Sequence, residues 1–259
     1  ALIDFAEQHI EANFSRLFRW LLGDQDPWVR AQAIQGLWED EDVLYIAPLM
    51  HILQSDPVSE VQATAASSLG RYMLLGELGE IEPRQAEQVR QALLTAFDAA
   101  RDNPEVRRRI LESLAYSAEP PVPDLIRAAY QDEDDALRVS GVFAMGRNAD
   151  ATWRNPVLAE LASSDNAMRF EAVRASGELE LADAVPELIA MLDEDDIELR
   201  EAAIWALGRI GGPAARRALQ ACCASDDPEL SEAAQEALDE LEFMAGEDDM
   251  PGFLFDLQT

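Results

Sequence analysis

The sequence predicts an all-α protein built from about seven repeats of one helical hairpin, and three observations carry that reading. An aliphatic residue followed by arginine recurs at Val29-Arg30, Val106-Arg107, Leu137-Arg138, Met168-Arg169 and Leu199-Arg200, with Val61-Gln62 and Leu230-Ser231 in equivalent places. The last five of these seven pairs stand 31 residues apart, and the first two intervals are 32 and 45. After each pair, as from Leu199 to Gly208, apolar residues fall three and four apart, the period of a helix that buries one face. A helix-start signal precedes the pairs: a short polar side chain able to cap, often followed by proline and an acid.

Taken in order, the stretch from Leu2 to Leu22 is apolar and aromatic, with Phe5, Phe14, Leu17, Phe18, Trp20 and Leu21, and is expected to cap the array or to be the cut edge of a longer one. The first second-helix starts at Asp26-Pro27. Asp56-Pro57 comes two residues early, which predicts a slightly longer helix there. The 45-residue interval carries about 14 extra residues around Leu74 to Gln88, where Gly76, Gly79 and Pro83 break the pattern before a long helix from about Pro83 to Ala100. A longer loop on one edge is the expectation, since arrays of repeats tolerate such insertions. Asn103-Pro104-Glu105, then Asp134, Asp165 and Asp196 without proline, then Asp227-Pro228-Glu229, open the later second helices. Before each cap runs another apolar-periodic stretch, such as Ala184 to Leu192, which supplies the first helix of the hairpin.

Small residues recur late in the second helices at Gly70, Gly146, Gly177 and Gly208. Glycine inside a helix costs about 1 kcal/mol relative to alanine, so the recurrence predicts close packing against a neighbouring helix. The seventh repeat departs, with Ser231 for arginine and Asp239 for glycine. Its polar face of Glu232, Glu236, Glu240 and Glu242 is that of a terminal cap turned to water.

The pattern Asp-x-x-(Val/Leu)-Arg-x-x-Ala-x-x-Ala-Leu-Gly, carried by Asp196 to Gly208 and in part by Asp26 to Leu37, resembles HEAT repeats. The period near 31 is similar to the short HEAT-like subtype named after phycobilisome lyases. The resemblance extends from about residue 13 to 244 and implies a right-handed α-α solenoid with first helices outside and second helices inside. On this reading residues 1–245 form the solenoid, with an irregular insertion at about 74–88, and 246–259 form an acidic and apolar tail. It says little about activity, because fold and function separate readily.

Composition excludes more than it identifies. The chain of 259 residues has a net charge of −31, with twenty arginines, no lysine, 24 Asp and 27 Glu. Its apolar runs are far shorter than the roughly 20 residues that span a bilayer, so no membrane role is expected. A field of this sign opposes nucleic acid and anionic lipid. The two cysteines, Cys222 and Cys223, are adjacent and build no disulfide framework, which points to a reducing cytoplasm. No secretory leader is expected from the opening residues. The charge is uneven: residues 1–100 carry −10, 101–174 only −3 and 175–259 carry −18.

Residues suited to catalysis are scarce. His9 and His51 are the only histidines, and neither is followed by an acid, unlike the His-Glu pairs of HEAT-like iron hydroxylases. Adjacent cysteines on a helix point about 100° apart and make a poor zinc site. HEAT-like DNA glycosylases need a basic surface that this charge denies. The acid runs Asp132 to Asp135 and Asp193 to Asp196 read as solvated caps, and no phosphate loop, serine elbow or dinucleotide fingerprint is present. No cofactor, no metal and no catalytic residue is expected.

What remains is a surface. In the second helices, offsets one, five and nine after each pair lie on one stripe outside the buried pattern. In repeats three to six this stripe places Arg108, Tyr116, Phe143, Arg147, Phe170, Arg174, Trp205 and Arg209 together as a band of residue types enriched at interface hot spots. The band is either a binding groove or half-buried packing with its arginines paired to local acids. Arg30, Arg107, Arg138, Arg169 and Arg200 read instead as a ladder joining the turns of successive repeats. The expected function is a non-enzymatic scaffold that binds a protein or peptide. A subunit of a bilin-lyase-type enzyme acting on a chromoprotein is the alternative that the resemblance keeps open. In the tail, Phe253, Leu254, Phe255 and Leu257 are expected to dock on the last repeat or on a neighbouring molecule, a route to self-association.

Overall fold

The computed structural model describes residues 14–38, 40–225 and 227–248, with side chains described to 243. The expectations for Phe5, His9 and the tail lie outside the described residues. The chain divides into two compact units, residues 1–148 and 149–259.

In the first unit, four hairpins pair α1 (Ser15–Leu21) with α2 (Pro27–Gly36), α3 (Ile46–Ser55) with α4 (Ser59–Glu77), α5 (Pro83–Ala99) with α6 (Pro104–Leu114), and α7 (Val122–Tyr130) with α8 (Asp135–Asn148). The second helices α2, α4, α6 and α8 pack in series as one layer. The second unit holds three hairpins: α9 (Arg154–Glu160) with α10 (Asn166–Glu178), α11 (Val185–Met191) with α12 (Ile197–Ile210), and α13 (Gly212–Cys223) with α14 (Pro228–Asp248). There α10, α12 and α14 form the layer of second helices. The fold is an all-α solenoid of HEAT type.

The caps do what their spacing predicts. Asp26, Asn103, Asp134, Asp165, Asp196 and Asp227 each accept a backbone N–H of the first helical turn, at 2.9 to 3.4 Å, satisfying donors that the helix itself leaves open. Two departures concern α4. It starts at Ser59, later than Asp56-Pro57 suggests, because the Asp56 carboxylate is turned to Arg30 and to the Val58 N–H while Val58 stays extended. Its extra length is at the other end, where it runs through Gly76 to Glu77. The long α5 then begins at Pro83 behind a capping box of Glu82 and Gln85. The irregular stretch therefore narrows to residues 78–82, because most of the extra chain is taken up as helix.

Close approach explains three of the four late glycines, Gly70, Gly177 and Gly208. A methyl on Gly70 of α4 would lie 2.9 Å from Ser113 Oγ and 3.2 Å from Ser113 Cα on α6. One on Gly208 of α12 would meet Ala237 Cβ of α14 at 2.9 Å. Gly177 of α10 is tightest in kind, since its neighbours are the Trp205 ring at 2.6 Å and the backbone Cα of Ala206 at 2.9 Å on α12. Ser113 adds a buried hydrogen bond across the same gap, donating to the Ala66 carbonyl at 2.8 Å.

The arginine ladder links turns. Arg30 on α2 makes a two-pronged pair with Asp56 of the next hairpin, Nε to Oδ2 at 2.7 Å and Nη2 to Oδ1 at 2.8 Å, and its Nη1 donates to the Asp24 and Gln25 carbonyls. Both side chains are buried, so the pair is shielded from solvent. Arg169 reaches Glu194 at 2.6 Å, while Arg107 to Asp132 and Arg200 to Asp227 are looser, at 4.0 and 3.7 Å. Arg138 pairs with Asp135 one turn back on its own helix. Half-exposed pairs of this kind contribute about 0 to 1 kcal/mol, whereas breaking a buried pair costs about 3 to 5.

Two outcomes follow. Asp56→Asn is expected to lower unfolding free energy by about 3 kcal/mol in chemical denaturation. Burial pushes the Asp56 carboxyl up, but the Arg30 hydrogen bond, the Val58 N–H and the Arg30 charge outweigh it and leave it below the usual carboxylate range. With the folded-state value depressed, the stabilisation is full above the unfolded-state pKa near 3.8 and fades as pH falls through the lower folded value. The gap between wild type and Asp56→Asn should therefore close in acid denaturation series. Gly177→Ala, which drives a methyl into helix backbone, is expected to cost about 1 to 3 kcal/mol in the same assay.

Candidate functional site

The first unit carries a trough along α4. Two adjoining hollows of about 500 and 590 Å³ share Trp38 and Ser67. On α4 their lining runs from Ser59 and Glu60 through Ala63, Thr64, Ser67, Gly70 and Arg71 to Leu74. At 1.5 Å per residue that is about 22 Å of helix. The floor is low because its residues are small, and the walls come from α2 with Trp38 on one side and from α6 on the other. Tyr116 and Phe143 close the apolar end together with Leu74. Trp38 is 55% exposed, unusual for a tryptophan in contact with a cavity.

Of the band expected from sequence, Arg108, Tyr116, Phe143 and Arg147 fall in this unit, and all four are half-buried. Tyr116 and Phe143 line the trough. Arg108 is held in packing, donating from Nε to Ser140 Oγ at 3.1 Å and from Nη1 to Glu105 at 3.0 Å. The Arg147 guanidinium lies 5.5 Å from the Phe143 ring centroid, a cation-π distance. Three residues outside that band complete the site. Trp38 follows the C-terminus of α2, and Arg71 stands at the stripe's ninth offset in the second repeat. Arg71 Nη2 donates to the Leu37 carbonyl at 3.1 Å, and its guanidinium sits 5.7 and 5.2 Å from the Trp38 and Tyr72 ring centroids. Arg109, on α6, bridges Glu105 and Glu112 at 3.0 and 2.9 Å. Burial draws the Arg109 guanidinium down, but the charges of Glu112 and Glu105 more than offset this and leave it above its ordinary value.

The second unit holds Phe170, Arg174, Trp205 and Arg209, also half-buried. Trp205 packs on Gly177, and the Arg174 guanidinium lies 6.0 Å from the Trp205 centroid. Arg209 comes within 3.7 Å of Glu180, just past the end of the preceding second helix. Arg174, Trp205 and Arg209 therefore join adjacent repeats, and the exposed edges of the four are what they offer to solvent.

For other chemistry the structure is plain. Among the described residues no three His, Cys, Asp or Glu side chains gather as a metal-holding group, and no helix is long and apolar enough to cross a membrane. Cys222 is buried on α13, where burial pushes its thiol up, and Cys223 is half-buried beside it. His51 is exposed on α3.

Comparisons with known proteins agree with this architecture. The family described as HEAT repeats matches residues 14–101 and 154–239. No curated protein sequence matches the chain. Among solved structures, the complex of CpcE and CpcF of phycocyanin lyase from Nostoc sp. PCC7120 is similar, with a TM-score of 0.57 at 16% identity over 89% of this chain and 95% of that one. YibA of E. coli gives a TM-score of 0.51 at 18% identity, covering 92% of this chain and 96% of that chain. Kap95p, in a complex with RanGDP, gives 0.50 at 14% identity over 94% of this chain and 35% of that one. At these identities the likeness is one of fold. The family match, covering well over half of the residues, agrees with the seven hairpins, the capped second helices and the late glycines: this chain belongs to the HEAT-repeat family.

Proposed function

We propose that this protein is a non-enzymatic adaptor that binds a protein or peptide segment in the trough along α4. The observation that carries the reading is the trough itself, a hollow with a floor of small residues and three aromatic side chains, Trp38, Tyr116 and Phe143, on its walls. Tryptophan and tyrosine in such settings are the residue types that dominate binding energy at interfaces, because they bury much area at little rotamer cost. Arg108 and Arg147, and in the second unit Phe170, Arg174, Trp205 and Arg209, are proposed as further contact residues through their exposed edges. Two of the similar folds come from protein complexes, Kap95p with RanGDP and CpcE with CpcF, which agrees with this use of the fold. The net charge of −31 favours a protein partner over nucleic acid, and the reducing cytoplasm is the setting proposed for it.

A displayed library of random peptides, panned against the intact chain, is the test. Enriched peptides are expected to bind at least tenfold more weakly to Trp38→Ala, whose side chain is largely exposed and whose loss leaves helical circular dichroism unchanged. A second variant, Tyr116→Ala with Phe143→Ala, should weaken the same peptides. Failure to enrich any binder, or binders indifferent to both variants, would overturn the proposal.

A further inference from the structure

Building on that trough, the geometry points to the chemistry of its occupant: an extended basic segment with a bulky apolar side chain midway between two cations, about seven residues from end to end. The argument starts from which charges on the trough are already used. Arg71 gives one N–H to the Leu37 carbonyl and lies over two aromatic rings, with its Nε and Nη1 lacking hydrogen-bond partners, and Arg109 bridges Glu105 and Glu112. Glu112 also accepts from Ser140 Oγ at 2.6 Å, and Glu105 from Arg108. Two carboxylates are left over. Glu60, in the first turn of α4, lines one hollow, and Glu41 lines the other beside Leu74; both are exposed and carry no ion pair among the described residues. Each hollow is lined by two carboxylates and one guanidinium, Glu60 and Glu105 with Arg109 in one and Glu41 and Glu112 with Arg71 in the other, so the net charge along the trough is negative.

The surroundings have the same sign. Residues 1–148 hold 25 acids against 13 arginines, so an acidic segment would approach against the field of the whole unit. On α4 the lining residues from Ala63 to Gly70 are small, and the aromatic rings of Tyr116 and Phe143 stand beside them. That stretch takes a leucine-sized or aromatic side chain, and the exposed Trp38 offers a ring face to a neighbouring cation. The trough runs about 22 Å along α4. An extended chain rising about 3.3 Å per residue covers the same length in about seven residues.

Fluorescence anisotropy with the labelled peptide Ser-Arg-Ser-Gly-Leu-Gly-Ser-Arg-Ser tests this on the intact chain. The peptide is expected to bind at least tenfold tighter than its counterpart with both arginines replaced by glutamate, and to weaken as salt rises. Glu41→Gln with Glu60→Gln should weaken it about tenfold, two exposed charge pairs each counting for up to about fivefold, while circular dichroism stays unchanged. Replacing the central leucine of the peptide by serine should weaken it as well. Equal or tighter binding of the glutamate peptide overturns the inference, as does indifference to the double variant. So does sedimentation showing that a second copy of the chain occupies the trough, detected as a dimer that Trp38→Ala dissociates. If library peptides depend on Trp38 while the arginine peptide fails, the basic occupant is wrong and the adaptor reading stands. If both fail, both are wrong.

Discussion

The near-contact of consecutive second helices is the constraint from which the remaining features follow. Gly70 against Ser113, Gly177 against Ala206 and Gly208 against Ala237 leave no room for a single methyl group. Helices packed this closely bring the turn of one hairpin within reach of a side chain from the previous one. Arg30 can then grip Asp56 with two hydrogen bonds, and Arg169 can reach Glu194. The same choice of small residues leaves α4 recessed between its neighbours, so Gly70 is both a packing position and part of the trough floor.

Arginine serves this chain in two structural ways that share one composition. The ladder arginines at the start of the second helices, Arg138 apart, reach forward to the next turn. Arg71 and Arg209, near the ends of α4 and α12, reach back toward the end of the preceding second helix, to the Leu37 carbonyl and to Glu180. Planar guanidinium groups suit both uses, since they can hydrogen-bond in the plane and stack on rings above it, as Arg71 does on Trp38 and Tyr72. A chain with no lysine thus uses arginine alone to tie its repeats together, through Arg30, Arg71, Arg107, Arg169, Arg200 and Arg209. Its carboxylates, more than twice as numerous, are left to define the surface.

That imbalance gives the net charge a meaning that the total alone does not have. A figure of −31 describes a repulsive field, but the local question is which charges are unpaired where a partner would sit. In the trough each hollow sets two carboxylates against one guanidinium, so the surplus there is negative. On α14, by contrast, Glu232, Glu236, Asp239, Glu240 and Glu242 lie exposed while Ala234, Ala237 and Leu238 are buried beneath them.

The sequence by itself determined the repeat, the hairpin within it, the capped start of the second helices and the need for close packing at Gly70, Gly177 and Gly208. These are local properties: a cap bonds within one turn, and a glycine recurring at a fixed place in a helix announces its cost on every occurrence. It also placed Tyr116 and Phe143 on a distinct stripe, though with no sign that they share a cavity while Trp205 fills the gap over Gly177. Only the tertiary structure decided that, because stripe residues with identical spacing differ in what the next helix brings against them. Trp38 and Glu41 were invisible as site residues for the same reason. They stand in the turn after α2, outside any helical period, and they become part of a trough only when α4 and α6 fold alongside. The late start of α4 belongs here too: Asp56 has the spacing of a cap, and it is the arrival of Arg30 from a different hairpin that gives its carboxylate other work.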